Sequence, residues 1–155
     1  MTPGEEPAPL LRTRARESAP AFSPDGRWIA YTSDDSGRLE VYVARYPELD
    51  RRSVISTTGG RDPLWSPQGG ELFFLDTRNQ LVAVPMADGQ PAGPAQPLFE
   101  TSVIPDRFLS RTYDVSPDGR RFVVAEPTDV GRPRLDRVYL VENWFEELNR
   151  LVPVK

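Results

Sequence analysis

The chemistry open to this sequence is that of carboxylates, guanidinium groups and hydroxyls, because its 155 residues include no histidine and no cysteine. Imidazole bases, thiolate nucleophiles, disulfides and the usual zinc ligands are absent with them. There is no Gly-x-Ser-x-Gly elbow, and a serine nucleophile without histidine would need an unusual base. Asp25 and Asp118 stand at matching places, as paired carboxylates or metal ligands might, but each belongs to a Ser-Pro-Asp-Gly run whose turn role accounts for residue type and spacing. Asp34-Asp35-Ser36-Gly37 has some of the character of a calcium loop, yet it lacks the alternating ligands and closing glutamate and reads as a solvated hairpin turn. Gly59-Gly60 lacks the Lys-Ser/Thr pair and helix of a phosphate cradle. The 23 acids would supply a glycosidase pair, but no spacing singles two out. The reading is therefore of a chain with no catalytic residues, no cofactor and no metal.

What remains are charged residues placed for binding, and their meaning depends on the elements that carry them. Ser23-Pro24-Asp25-Gly26, Ser66-Pro67-Gln68-Gly69 and Ser116-Pro117-Asp118-Gly119 recur at spacings of 43 and 50 residues. Those intervals fit a four-stranded propeller blade of about 40–50 residues better than an ankyrin or tetratricopeptide unit. Six residues after each motif serine stands Ile29, Leu72 or Phe122, inside the short apolar runs Trp28–Tyr31, Leu72–Leu75 and Phe122–Ala125. Second runs follow at Leu39–Tyr46, Leu81–Met86 and Val138–Val141, rich in the valine and tyrosine that strands favour. The connecting segments Asp34–Arg38, Asp76–Gln80 and the longer Pro127–Arg137 are rich in turn formers, so each unit contains a β-hairpin. Proline at the second and glycine at the fourth place of the motif predict a type I turn between two strands of a blade.

Pro20–Phe22, Pro63–Trp65 and Tyr113–Val115 precede the turns and are expected as short inner strands, with Ser53–Ser56 and Gln96–Thr101 as outer strands of the first two units. The third unit has no evident outer strand. Leu10–Thr13 has the look of the last strand of a preceding blade, and Asn143 with Glu146 makes a capping box for a short terminal helix. Glu17, Arg61, Asp62 and Arg111 precede the inner strands, where loops open onto the channel mouth of a propeller. Charge there suits an anionic peptide terminus or side chain. Trp28, Trp65, Tyr31, Phe73, Phe74 and Phe122 read as blade core.

Composition agrees with a folded, non-membrane chain. Hydrophobic residues are 38% and charged residues 27% of the sequence, and the net charge of −4 offers no general attraction to nucleic acid or anionic lipid. No run approaches the length of a membrane span, so direct membrane insertion is not expected.

At Pro20–Tyr31, Pro-Ala-Phe-Ser-Pro-Asp-Gly-Arg-Trp-Ile-Ala-Tyr, the sequence resembles the TolB-type propeller repeat, and the resemblance runs from about Leu10 to Trp144. More narrowly, Glu17–Tyr46, Ser56–Leu75 and Tyr113–Trp144 resemble the C-terminal part of the propeller attached to many bacterial serine/threonine protein kinases. Gln68 and Val115 depart from the repeat, and no kinase motif occurs. The expected organisation is a disordered segment over 1–9, an outer strand of a preceding or partner blade over 10–14, blades over 18–57, 61–102 and 111–142, and a helix and tail over 143–155.

The fold class is thus all-β, a propeller segment of about three four-stranded blades. The resemblance implies a non-catalytic interaction or ligand-sensing module of a larger bacterial signalling protein, in an extracytoplasmic setting. The alternatives are the gating propeller of a prolyl-oligopeptidase-type peptidase and a TolB-like periplasmic assembly protein. A protein or peptide is the expected partner, and a homodimer would close a six-bladed ring.

Overall fold

The structure is a computed structural model and describes residues 9–102, 111–127 and 135–141. Within them the chain is built of antiparallel strands alone. The first sheet has the order β1 (Glu17–Phe22), β2 (Trp28–Ser33), β3 (Glu40–Arg45) and β4 (Arg52–Val54). The second runs β5 (Gly60–Trp65), β6 (Glu71–Asp76) and β7 (Gln80–Ala87); β7 then pairs with the two-residue β8 (Gln90–Pro91) and with β9 (Gln96–Glu100). The third holds β10 (Tyr113–Val115), β11 (Phe122–Pro127) and β12 (Leu135–Val141). Each sheet is a meander in sequence order, as short turns between neighbouring strands dictate.

Register shows that the three units are true repeats. Phe22 pairs with Ile29, Trp65 with Leu72 and Val115 with Phe122, so the three apolar residues six places after each motif serine are equivalent. The turns agree as well. Gly26, Gly69 and Gly119 each donate their N–H to the carbonyl of the motif serine at 2.9, 2.9 and 2.8 Å, with φ of 70°, 73° and 72°. That left-handed conformation is the reason for glycine at this place.

Side chains tighten the turns. Ser23 Oγ donates to Asp25 Oδ1 at 2.6 Å and accepts from the Trp28 N–H at 2.9 Å, while Asp25 also takes Arg27 Nε at 2.7 Å. Ser116, Asp118, Arg120 and Arg121 repeat the pattern. Gln68, which replaces the aspartate in the second turn, donates through Nε2 to the Pro117 carbonyl at 2.9 Å and staples the second turn to the third.

The hydrogen bond from Ser23, helped by Arg27, lowers the Asp25 pKa to about 2. A carboxylate depressed in the folded state stabilises at pH above its unfolded value, and this contribution disappears as the pH falls from about 4 towards 2. Asp25→Asn is therefore expected to lower stability at neutral pH and to match the wild type below pH of about 2. Urea midpoints of the two proteins across the acid range check it. A gap of constant size would show that the turn does not use the charge.

The sheets stack, and the hairpin strands of the second are apolar on both faces because a sheet lies on either side. Trp28, Ala30, Val41 and Val43 of the first blade pack on Trp65, Leu72, Phe74, Val82 and Val84 of the second. Phe73, Leu75, Leu81 and Ala83, on the opposite face of the second blade, pack on Tyr113, Val115, Phe122 and Val124 of the third. Each blade thus presents a front face to the blade before it and a back face to the blade after it. Glu40 secures the passage between the first two blades: buried, it binds Arg38 Nε at 2.5 Å, the Ser56 hydroxyl, and the Gly59 N–H at 3.2 Å.

At the strand ends the structure departs from expectation. Leu10–Thr13, expected as the outer strand of a preceding or partner blade, pairs with no strand among the described residues, and its Leu11 packs on the front-face cluster of Ile29, Tyr31, Tyr42 and Ala44. The last strand starts at Leu135 rather than Val138, since backbone pairing continues past the apolar residues to Glu126↔Arg137 and Pro127↔Leu135. Inner strands likewise begin earlier than their proline, at Glu17 and Gly60. The helix expected from Asn143, with Trp144 and Phe145, and the N-terminal segment over 1–8 lie outside the described residues.

Candidate functional site at the start of the inner strands

Asp62 is the residue on which the three blades meet. A bulge between Arg61 and Leu64 interrupts the pairing of β5 with β6 and turns Asp62 into the left-handed region, with φ of 56°. Aspartate tolerates that conformation better than most residues. The equivalent Ala19 in β1 has the same bulge and φ of 50°.

Local bonds hold the strained residue from every side. Its N–H donates to Thr32 Oγ1 of the first blade at 3.0 Å, and its carbonyl accepts from the Tyr113 hydroxyl of the third at 2.6 Å. Its carboxylate takes Arg61 Nη1 at 2.6 Å, and Arg61 Nη2 reaches Asn79 Oδ1 at 2.6 Å. Burial, then the nearby Asp62 charge, pushes the Tyr113 pKa well above its usual value, so the hydroxyl stays a donor throughout the physiological range.

Arg61 and Arg111 are equivalent by repeat and occupy the same end of successive inner strands; both act electrostatically on the Tyr113 hydroxyl. Their states differ. Arg61 is engaged by Asp62 and Asn79, whereas Arg111 Nε and the adjacent Thr112 Oγ1 are buried and, among the described residues, have no hydrogen-bond partner. The structure thus gathers Arg61, Asp62 and Arg111. Glu17 stands apart: it accepts from Thr13 Oγ1 and borders a concavity on the front of the first blade.

Such a set can hold an anion, with one guanidinium fixed by a carboxylate and an amide and a second whose Nε has no acceptor. It has no nucleophile and base in contact. Among the described residues no group of three or more acidic side chains could hold a metal ion, and no helix is long and apolar enough to cross a membrane. Thr32, Asn79 and Tyr113 were not legible as site residues in the sequence. Only Tyr113 left a trace, because it replaces the proline found at Pro20 and Pro63.

Stacked antiparallel meanders of three to five strands, with charge at the start of the inner strands and Ser-Pro-x-Gly turns at their other end, define the chain as a β-propeller segment. Its relatives are TolB-like. It is 38% identical over 78 residues to the Tol-Pal system protein TolB of Alcanivorax borkumensis, covering 49% of this chain and 18% of that one. An uncharacterised protein of Agrobacterium fabrum is 28% identical over 130 residues, covering 73% of this chain and 41% of its own. No protein-family model matches the chain.

Among solved structures, a TolB-assigned protein of Agrobacterium tumefaciens superposes with a TM-score of 0.59 at 20% identity, covering 85% of this chain and 47% of the other. Oligogalacturonate lyase of Vibrio parahaemolyticus follows with a TM-score of 0.55 at 13% identity, covering 83% and 34%. At those identities the likeness is one of fold and carries no activity across. The chain spans less than half the length of each of these relatives.

Proposed function

We propose that the chain is a non-catalytic interaction module that grips an anionic group of a protein or peptide at the mouth of its channel. The observation that carries this is the Arg111 Nε, buried without an acceptor beside the braced Arg61, Asp62 and Asn79. A carboxylate at the half-buried Arg111 guanidinium supplies a counter-charge, and a peptide's terminal carboxylate is a group of that kind. Glu17, the fourth candidate, begins the first inner strand but borders the front-face concavity and takes no part in this grip. The likeness to a Tol-Pal system protein supports a role in protein assembly in an extracytoplasmic setting. The resemblance to kinase-attached propellers supports a place within a larger signalling protein.

Calorimetry with short peptides bearing a free terminal carboxylate, and with the same peptides as C-terminal amides, tests the reading. Loss of a charge-assisted hydrogen bond is worth about 1.5–3 kcal/mol, so the amides and the Arg111→Ala protein are each expected to bind at least about tenfold more weakly. Binding that ignores both changes, or no binding by any peptide, overturns the assignment.

A further inference from the structure

The repeated face-to-back packing lets one position be compared across all three blades. Phe22, Trp65 and Val115 end their inner strands on the front face; Trp65 and Val115 are buried against the preceding blade, whereas Phe22 is 54% exposed. On the back face Val41 and Leu81 are fully buried where the equivalent Val138 is 71% exposed. Val43 and Ala83 are buried where Leu140 is 56% exposed, and Val123 is exposed where Ala30 and Phe73 are buried. The side chains that make the two internal interfaces thus recur, uncovered, at the two ends of the stack.

We propose that the back of the third blade docks on the front of the first blade of a second copy, and reciprocally, so that two chains close one ring. This reading goes beyond the ligand assignment and does not depend on it. The receiving surface is a concavity of about 440 Å³ bordered by Leu10, Leu11, Phe22, Ile29, Tyr31 and Tyr46. It lies where the equivalent front of the second blade accepts Ala30, Val41 and Val43. Val123, Val138 and Leu140 are aliphatic groups at those same positions and fill it in the same way.

One chain carries both the donor face and the receiving face, so two copies satisfy both. A two-fold axis makes both contacts identical and closes the assembly, whereas head-to-tail contacts without that axis would grow into filaments. Docking also brings the Leu10–Thr13 segment on the front of one chain beside β12 of the other, where the third sheet has no fourth strand among the described residues. An exposed strand edge is thereby covered. Closure sets two copies of the Arg61, Asp62 and Arg111 group around one channel.

Light scattering of the full chain is expected to give twice its 17.4 kDa. Leu140→Asp is expected to give the single mass with unchanged far-ultraviolet circular dichroism. Because the chain has no cysteine, a second measurement stands even if that variant fails to fold. Phe22→Cys and Leu140→Cys proteins, treated with a short bismaleimide, should cross-link when mixed and reannealed, and neither should do so alone. A wild-type monomer, a ladder of growing masses, or cross-linking of Leu140→Cys alone as efficiently as the mixture overturns the proposal.

Discussion

Phe122→Ala is expected to cost about 3–5 kcal/mol of folding stability, the range for removing a large aromatic side chain from a packed core. Phe122 is fully buried on the front of the third blade. Its ring meets Phe73 edge-on at 4.9 Å and Phe99 at 5.8 Å, so it joins β11 to both β6 and β9 of the preceding blade. Phe73 belongs to β6, which is paired on both sides, and cannot move into the space without breaking register. The loss should show in the denaturant midpoint. It should be much larger than that of Val123→Ala, whose side chain points from the same strand to the exposed face. Equal effects would mean that the second and third blades are not packed as described.

Gly89→Ala should cost roughly 2–4 kcal/mol through overpacking and backbone strain together. Gly89 has φ of 71°, and a Cβ there would lie 2.3 Å from Trp28 Cε3. Trp28 belongs to the first blade and Gly89 to the turn after β7 of the second, so the glycine lets the indole pass under that turn. Gly37→Ala is the control. Its φ of 88° carries comparable backbone strain, but a Cβ there meets nothing within 4 Å. The difference between the two variants in thermal unfolding isolates the contact with Trp28. No difference would show that the indole moves aside freely.

Much of this arrangement could be read from the sequence because it repeats. Three Ser-Pro-x-Gly turns, each followed at a constant offset by an apolar residue, specify hairpins, register and the face each residue takes. Strand ends were less legible: β12 begins on Leu135-Asp136-Arg137, where backbone pairing continues through a stretch rich in turn formers and charge. Leu10–Thr13 was legible as apolar but not as a strap, since nothing in four residues distinguishes a strand awaiting an edge from a segment lying on a face.

The candidate site was legible only in part. Arg61 and Arg111 stand out by position, but the bonds that organise them come from Thr32 and Tyr113, distant in sequence and brought near by stacking of the blades. Glu17 is also charged, but it stands one place earlier in its unit, level with Gly60, and borders a different surface.

Binding at the start of the inner strands is tested most directly by amide spectra of the isotope-labelled protein during titration with a carboxylate-terminated peptide. Shifts should concentrate at Arg61, Asp62, Asn79 and Arg111 to Tyr113, and vanish in Arg111→Ala while the spectrum of the fold is kept. Shifts centred instead on the opposite end, around the Ser23 to Gly26 turn, Trp28 and Gly89, would contradict it.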